Sequence, residues 1–410
     1  MKKINYSDLE SKFGLPNVVV HCKKCLMTNQ KPFSINETTN MKGSKKSGMP
    51  INKDGVCAAC EYSLKKNQNI DWSKREEKLL KMLDKVRRKD GRYDCIISGS
   101  GGKDSGTQAH LLKYKYGMNP LTVTYSPLLY TEVGWRNVRN WSYVGGFDHY
   151  LFTPNGKISS ILSKEALINL YHPMQPFKFG IKAFAAKMAL KFDIPLVIYG
   201  EPYAEYGSQD GVQTDSPSYD LEWYINDNKD IFLGGMHVNQ LKEKYKLNDV
   251  DLLPYMPLRS HDVNKSNLKV EFLGWYVKWD PQDIYYYASE NCGLEPDMQR
   301  TDSTHGRYAG VDDKFEWPHY YAHYIKYGIG RCRFDTSQEI RNGHITREEA
   351  LLLAKKFEGE IPYTYLNDCL DFWGIDEEKF WEITDKFRSP HLWQKENNSW
   401  YRIQELPELI

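Results

Sequence analysis

The chain has 410 residues, 40% hydrophobic and 14% aromatic, which is enough for sizeable cores and predicts two or three domains. Its 55 Lys and Arg nearly balance its 54 Asp and Glu, and the formal charge of +1 carries no basic nucleic-acid footprint. No apolar run follows Met1-Lys2-Lys3, and no apolar stretch approaches the ~18 residues that span a bilayer. A cytoplasmic chain without membrane or nucleic-acid contacts is therefore expected, with its eight cysteines as thiols or metal ligands and not disulfides.

Residues 1–70 form a first region built on two C-x-x-C pairs, Cys22-Lys23-Lys24-Cys25 and Cys57-Ala58-Ala59-Cys60. Between them, the polar stretch Asn36 to Lys53 reads as a loop. Two such pairs in a cytosolic chain predict a tetrahedral site in which Cys22, Cys25, Cys57 and Cys60 hold structural Zn²⁺. The intervening loop is longer than in a usual zinc ribbon, so an iron–sulfur cluster or a redox pair stays open. All four ligand positions come from protein, so no catalysis is expected there.

A second region, 71–240, opens with a helix near Trp72, where Ser73 and Glu76 have capping-box spacing and Leu79, Leu80, Leu83 and Val86 follow at helical period. Strands are predicted at Tyr93–Ser98, Leu121–Tyr125, His149–Phe152 and Pro195–Tyr199. Helices are predicted between them near Thr107–Tyr116, Trp135–Val144, Ile158–Leu170 and Ile181–Phe192. This alternation predicts an α/β fold with a doubly wound parallel sheet. The third region, 241–410, is irregular to about Gly310 and mainly helical beyond. There Thr346 and Glu349 form a capping box ahead of Leu351, Leu352, Ala354 and Phe357.

The most informative segment is Ser98-Gly99-Ser100-Gly101-Gly102-Lys103-Asp104-Ser105, between a predicted strand and a predicted helix. Its glycines let backbone amides approach a phosphate, the helix points its positive end there, and Lys103 adds a charge. A Walker A loop is excluded, because Ile97 stands where its first Gly is needed and Asp104 where its Ser or Thr is needed. A dinucleotide fingerprint fails as well, since its third Gly would fall on Asp104 or Ser105.

Ser100-Gly101-Gly102-Lys103-Asp104-Ser105 resembles the Ser-Gly-Gly-x-Asp-Ser loop of the PP-loop ATP pyrophosphatases. That resemblance implies that Ser100, Gly101, Gly102 and Ser105 hold the pyrophosphate of ATP, that Asp104 helps hold Mg²⁺, and that ATP is cleaved to AMP and PPi through an adenylated substrate. Lys103, Asp104 and Ser105 are the expected catalytic residues. Ser98, Gly99, Tyr125 and Gly200, at the carboxyl ends of strands, complete the expected ATP site.

More broadly the chain resembles the N-acetyl sugar amidotransferase family of bacterial surface-polysaccharide and flagellar-glycan pathways. The resemblance rests on Gly55–Cys60, the phosphate loop, Phe272–Asp280, Tyr327–Arg331, Ile340–Gly343 and Thr346–Glu349. It implies that a sugar acetamido group becomes an acetamidino group, with ATP activating the amide oxygen and ammonia displacing it. Ammonia would come from a separate subunit similar to the glutaminase of histidine biosynthesis, with a cyclase-like barrel partner. The residues agree on one point: Cys292 and Cys332 lack the glycine-flanked turn of a glutaminase nucleophile, so nitrogen is expected from outside the chain.

Glu201 follows the fourth strand and is either a site residue or a surface charge. Arg331, Asp335 and Arg341 suit an N-acetylated acidic sugar or sugar nucleotide, or else form a salt-bridged helical face. Two other functions stay in view. A tRNA-thiolating enzyme would need a sulfur-carrying Cys near the loop, and the strand ends Phe152-Thr153-Pro154 and Tyr199-Gly200-Glu201 supply none. A non-catalytic zinc-containing scaffold would not need an intact phosphate loop.

Overall fold

The computed structural model describes residues 6–207, 215–218, 221–228, 230–404 and 406. Its centre is a sheet of five parallel strands: β1 (Cys95–Ser98), β2 (Pro120–Tyr125), β3 (His149–Phe152), β4 (Leu196–Tyr199) and β5 (Lys269–Phe272), in the order β3-β2-β1-β4-β5. Cys95, Ile96 and Ile97 of β1 are fully buried, as a central parallel strand covered on both faces requires. β3, at one edge, exposes Tyr150 and Leu151.

The α-helices of eight or more residues, in chain order, are α1 (Ala58–Gln68), α2 (Trp72–Val86), α3 (Lys103–His110), α4 (Glu132–Tyr143), α5 (Gly156–Leu170), α6 (Gln175–Lys191), α7 (Val238–Tyr245), α8 (Pro281–Cys292), α9 (Glu316–Tyr327), α10 (Arg331–Asn342), α11 (Arg347–Phe357), α12 (Tyr363–Trp373) and α13 (Glu377–Lys386). The doubly wound parallel sheet and the mainly helical C-terminal region are as expected.

Three local details differ from the sequence reading. α2 is capped by Asp71, whose side chain accepts from the Lys74 amide, and not by a Ser73–Glu76 box. The charged Asp carboxylate is a stronger acceptor for the orphan amides, so the helix starts at Trp72, two residues before a Ser73 cap would start it. α3 begins at Lys103, straight out of the glycine loop, not at Thr107. The segment 202–310, without periodic signal, supplies both β5 and α8. β5 pairs with β4 from Leu196↔Lys269 to Tyr199↔Phe272, so the sheet takes chain from both sides of residue 240. The capping box at Thr346 and Glu349 is present as read.

The strand order reverses between β1 and β4. A crevice opens at their carboxyl ends, which is where ligands bind in open α/β sheets. The N-terminal region is fastened beside it. Lys66 of α1 is fully buried and donates to both Glu205 oxygens at 2.9 and 3.0 Å, to the Trp279 carbonyl at 3.1 Å and to Asn342 at 3.0 Å.

Candidate active site

β1 runs directly into the phosphate loop, and α3 leaves it with Gly102 as N-cap. Gly101 has φ +80°, and a Cβ there would lie 2.4 Å from the Asn137 carbonyl oxygen, so only glycine fits. Gly99 is equally confined, because a Cβ would meet Ser105 Cβ at 2.1 Å. Gly102 has no neighbour closer than Ser100 Oγ at 3.9 Å, which leaves open room where a phosphate oxygen can approach the helix amides. α8, missed in the sequence, backs this helix. Thr107 donates to the Ile284 carbonyl at 2.8 Å, and Gly106 lets Ala288 and Cys292 pack closely.

The charged residues of the loop are held from behind. Asp104 lies 2.7 Å from Lys103 Nζ and accepts from Trp279 Nε1 at 3.2 Å. Burial disfavours the Lys103 ammonium, but Asp104 and Glu201 more than offset it and raise its pKa. Gly200 packs beside Asp104, and a Cβ there would press on Gln108 Nε2 at 2.8 Å and on the Trp279 ring at 3.0 Å. Asp104 keeps lone pairs toward the crevice and is the loop carboxylate suited to hold Mg²⁺.

Two cavities meet at the loop. One, about 360 Å³, is lined by Ser98, Gly99, Ser100, Gly102, Asp104, Ser105, Gly200 and Glu201. The other, about 320 Å³, has Ser100, Gly102, Lys103, Asp104 and Glu201 on one side and Arg331, Asp335 and Arg341 on the other. The structure thus brings together the loop, Glu201 and the three polar residues of α10. Gly101 supports the loop from beneath. Tyr125 is separate: it lines a cavity of about 240 Å³ at the ends of β2 and β3, with its ring against Gly180 of α6.

α10 presents Arg331, Asp335, Gln338 and Arg341 along one face, at spacings of four, three and three residues. Arg331 and Asp335 form the salt bridge that was one of the two readings. Arg331 Nε donates to both Asp335 oxygens at 3.0 Å, and the pair still walls the cavity. Arg341 differs: its Nε and Nη1 are buried without a protein partner. Glu201 accepts from Gln338 at 2.9 Å and from the Tyr206 hydroxyl. Burial first, then Asp104 and Glu205, push its pKa up to about 7 against the pull of Lys103.

The sequence reading missed Lys31, Tyr206, Tyr308, Glu316 and Tyr320, which also line this cavity. The four-residue spacing of Glu316 and Tyr320, on one helix face, was a usable signal. Lys31, from the cysteine-rich region, carried none. Burial and Arg341 push it down to about 7.

The knuckles stand directly behind Lys31. Cys22, Cys25, Cys57 and Cys60 are buried, with their sulfurs all within 4.8 Å of one another. Cys22 and Cys60 are 3.9 Å apart and Cys25 and Cys57 3.7 Å. A tetrahedral Zn²⁺ at ~2.3 Å from each sulfur requires about 3.8 Å between sulfurs, so the four residues fit that ion. Backbone amides of Lys24, Met27 and Cys57 point at Cys22 and Cys25, as thiolate ligands need. None of the other cysteines lines the cavity, and burial pushes the Cys292 thiol up to about 12.

Among the described residues, no helix is long and apolar enough to cross a membrane.

Comparison with known proteins gives three kinds of likeness. One curated relative, the uncharacterized protein MJ1599 of Methanocaldococcus jannaschii, is 39% identical over 75 residues, 18% of this chain. The chain spans only about a quarter of that relative's length, 26%. Two solved structures align weakly. An NMN synthetase from Francisella tularensis has TM-score 0.32 and 12% identity, covering 70% of this chain and 94% of that one. An NH3-dependent NAD synthetase from Campylobacter jejuni has TM-score 0.26 and 15% identity, covering 56% and 100%. At these scores the fold assignment rests on the sheet itself. Residues 303–407, which include all of α9 to α13, match the family described as LPS biosynthesis protein WbpG-like, C-terminal domain. Over that region the chain is similar to the WbpG-like proteins of LPS biosynthesis, and the match supports the family resemblance read from the sequence.

Proposed function

We propose that the chain is an ATP-dependent, AMP-forming amidotransferase of bacterial surface-glycan biosynthesis, acting in the cytoplasm on the N-acetyl group of a sugar destined for LPS or O-antigen, capsule or flagellin glycan. One observation carries the reading. The phosphate loop and the cationic face of α10, which lies in the WbpG-like region, wall the same cavity. A site that binds ATP on one side and an acidic sugar or sugar nucleotide on the other needs that arrangement.

In this reading the sugar amide oxygen attacks the α-phosphorus of ATP. An O–P bond forms, the bond to pyrophosphate breaks, and the charge that gathers on the leaving group falls on the amides of Gly102 to Ser105 and on Lys103. Mg²⁺, held through Asp104, would supply further neutralisation there. Arg341 and Lys31 hold the sugar's anionic group. Ammonia then adds to the amide carbon, the C–O bond to AMP breaks, and the added nitrogen must lose a proton. Glu201, with its pKa near neutrality and its place beside the loop, is suited to take it. No cysteine lines this cavity, which supports an external ammonia source, a glutaminase subunit with its barrel partner. It also supports this reading over tRNA thiolation, which would need a thiolate beside the loop.

The test is product analysis on the purified chain with ATP, ammonium and a panel of N-acetylated sugars and sugar nucleotides. AMP and PPi are expected in step with amidine formation. Asp104→Ala should lose about 10²–10³ in rate, as when one group stabilising the developing charge is removed, with the chain still folded at the assay temperature. ADP and inorganic phosphate as products would overturn the reading, since they belong to γ-phosphoryl transfer.

A further inference from the structure

A fourth cavity, about 310 Å³, lies away from the phosphate loop, and its lining includes Lys42, Lys46, His172, Lys326 and Tyr327. Between it and the reacting cavity stands a row of aromatic and imidazole rings. His172 stacks on His319 with centroids 4.8 Å apart, and His319 meets His323 edge-on at 4.8 Å. His319 lies 5.4 Å from Tyr320 and His323 6.0 Å from Phe334, and both of these line the reacting cavity. At the other end Tyr327, which lines the basic cavity, is 5.3 Å from His323. Each of the three histidines has an Nδ1 buried without a hydrogen-bond partner. Orphaned polar atoms in a native interior call for an occupant or a function.

Their surroundings select what that occupant is. Lys178 Nζ is 2.7 Å from His319 Nε2, and burial together with Lys178 and Lys326 keeps all three imidazoles neutral. Glu37 and Glu316 are the acidic groups that face the lysines here. Burial pushes Lys178 down and Lys326 well below the usual ammonium range, so the space disfavours positive charge, and a cation entering it would lose its hydration. A small neutral base would meet imidazole nitrogens able to donate or accept. The three imidazoles do not form a metal cluster: among the described residues only the four knuckle cysteines bring three or more ligand atoms together.

We propose that His172, His319 and His323 line an internal passage through which ammonia, as the uncharged base, travels from the basic cavity to the reacting cavity. This rests on the amidotransferase reading and adds to it the route of the nitrogen. The imidazoles hand ammonia along by alternating as acceptor and donor, and the cost of stripping a cation of its water in this buried space excludes ammonium.

The test uses the full chain, with ammonium as the nitrogen source. His172→Trp fills the outer end, where the side chain is only partly buried, so folding is least at risk. His319→Leu removes the polar step in the middle, and His319→Gln restores it. Sugar-dependent exchange of labelled PPi into ATP, measured without ammonium, reports adenylation alone. The expected result is a rise of roughly tenfold in the ammonium KM for His172→Trp and His319→Leu, partly reversed in His319→Gln, with exchange and the KM values for ATP and sugar within about twofold. An unmoved ammonium KM in His172→Trp with exchange intact overturns the passage alone and makes the histidine row a packed polar core. Absence of exchange in the unsubstituted chain overturns the amidotransferase reading, and the passage with it.

Discussion

Lys66→Met tests how the metal region is joined to the ATP site. The Lys66 side chain is fully buried and Glu205 is 4% exposed, so the pair is sealed from water. Methionine keeps most of the stem volume and removes the charge. It leaves the Glu205 carboxylate buried without its cation, and the Trp279 carbonyl and Asn342 amide oxygen without the ammonium. Breaking a buried pair from one side costs about 3–5 kcal/mol. In a chain of 410 residues that lowers the melting midpoint by roughly 3–6 °C. The double variant Lys66→Met/Glu205→Leu removes the stranded charge and should return to within ~1 kcal/mol of the parent. Trp279 also donates to Asp104, so the single variant should slow PPi release well below its melting range, whereas the double variant recovers stability more than rate. Thermal and urea unfolding of the three proteins decide the matter. A loss of no more than about 1 kcal/mol in the single variant, the size expected of an exposed ion pair, would refute the reasoning.

Three further outcomes are expected. Cys57→Ser should lose bound zinc by elemental analysis and, because Met27, Lys31 and Ala59 of the same region wall the cavity, weaken sugar binding as well as solubility; retained stoichiometric zinc would count against the four-cysteine site. With its pKa raised to about 7, Glu201 should impose a rising limb on the pH–rate profile, flattened in Glu201→Gln. The sign for stability is opposite: the raised carboxyl favours the fold at low pH, and that contribution is lost as pH climbs from the ordinary carboxyl range through about 7, which pH-dependent unfolding of the two proteins would register. Gly101→Ala should abolish ATP binding measured by calorimetry, since its Cβ would lie 2.4 Å from the Asn137 oxygen at φ +80°.

The sequence by itself determined the features whose physics is local. The glycine-rich loop, the paired cysteines, the Thr346–Glu349 cap and the strand–helix alternation from residue 93 to 199 are each set by contacts within a few residues, so composition and spacing reveal them. Tertiary structure decided what depends on distant partners. β5 is four residues with one hydrophobic face in doubt, and only its pairing with β4, from Leu196↔Lys269 onward, makes it a strand. Arg331, Asp335 and Arg341 were visible as polar residues, but only the packing of α10 over the β1–β4 crevice turned that face toward Lys103 and Glu201. Lys31 and the histidine row carried no signal at all. A lone lysine or histidine is read as surface or core from its neighbours in sequence, whereas its ionisation and its role are set by charges brought beside it from elsewhere in the chain: Arg341 beside Lys31, and Lys178 beside His319.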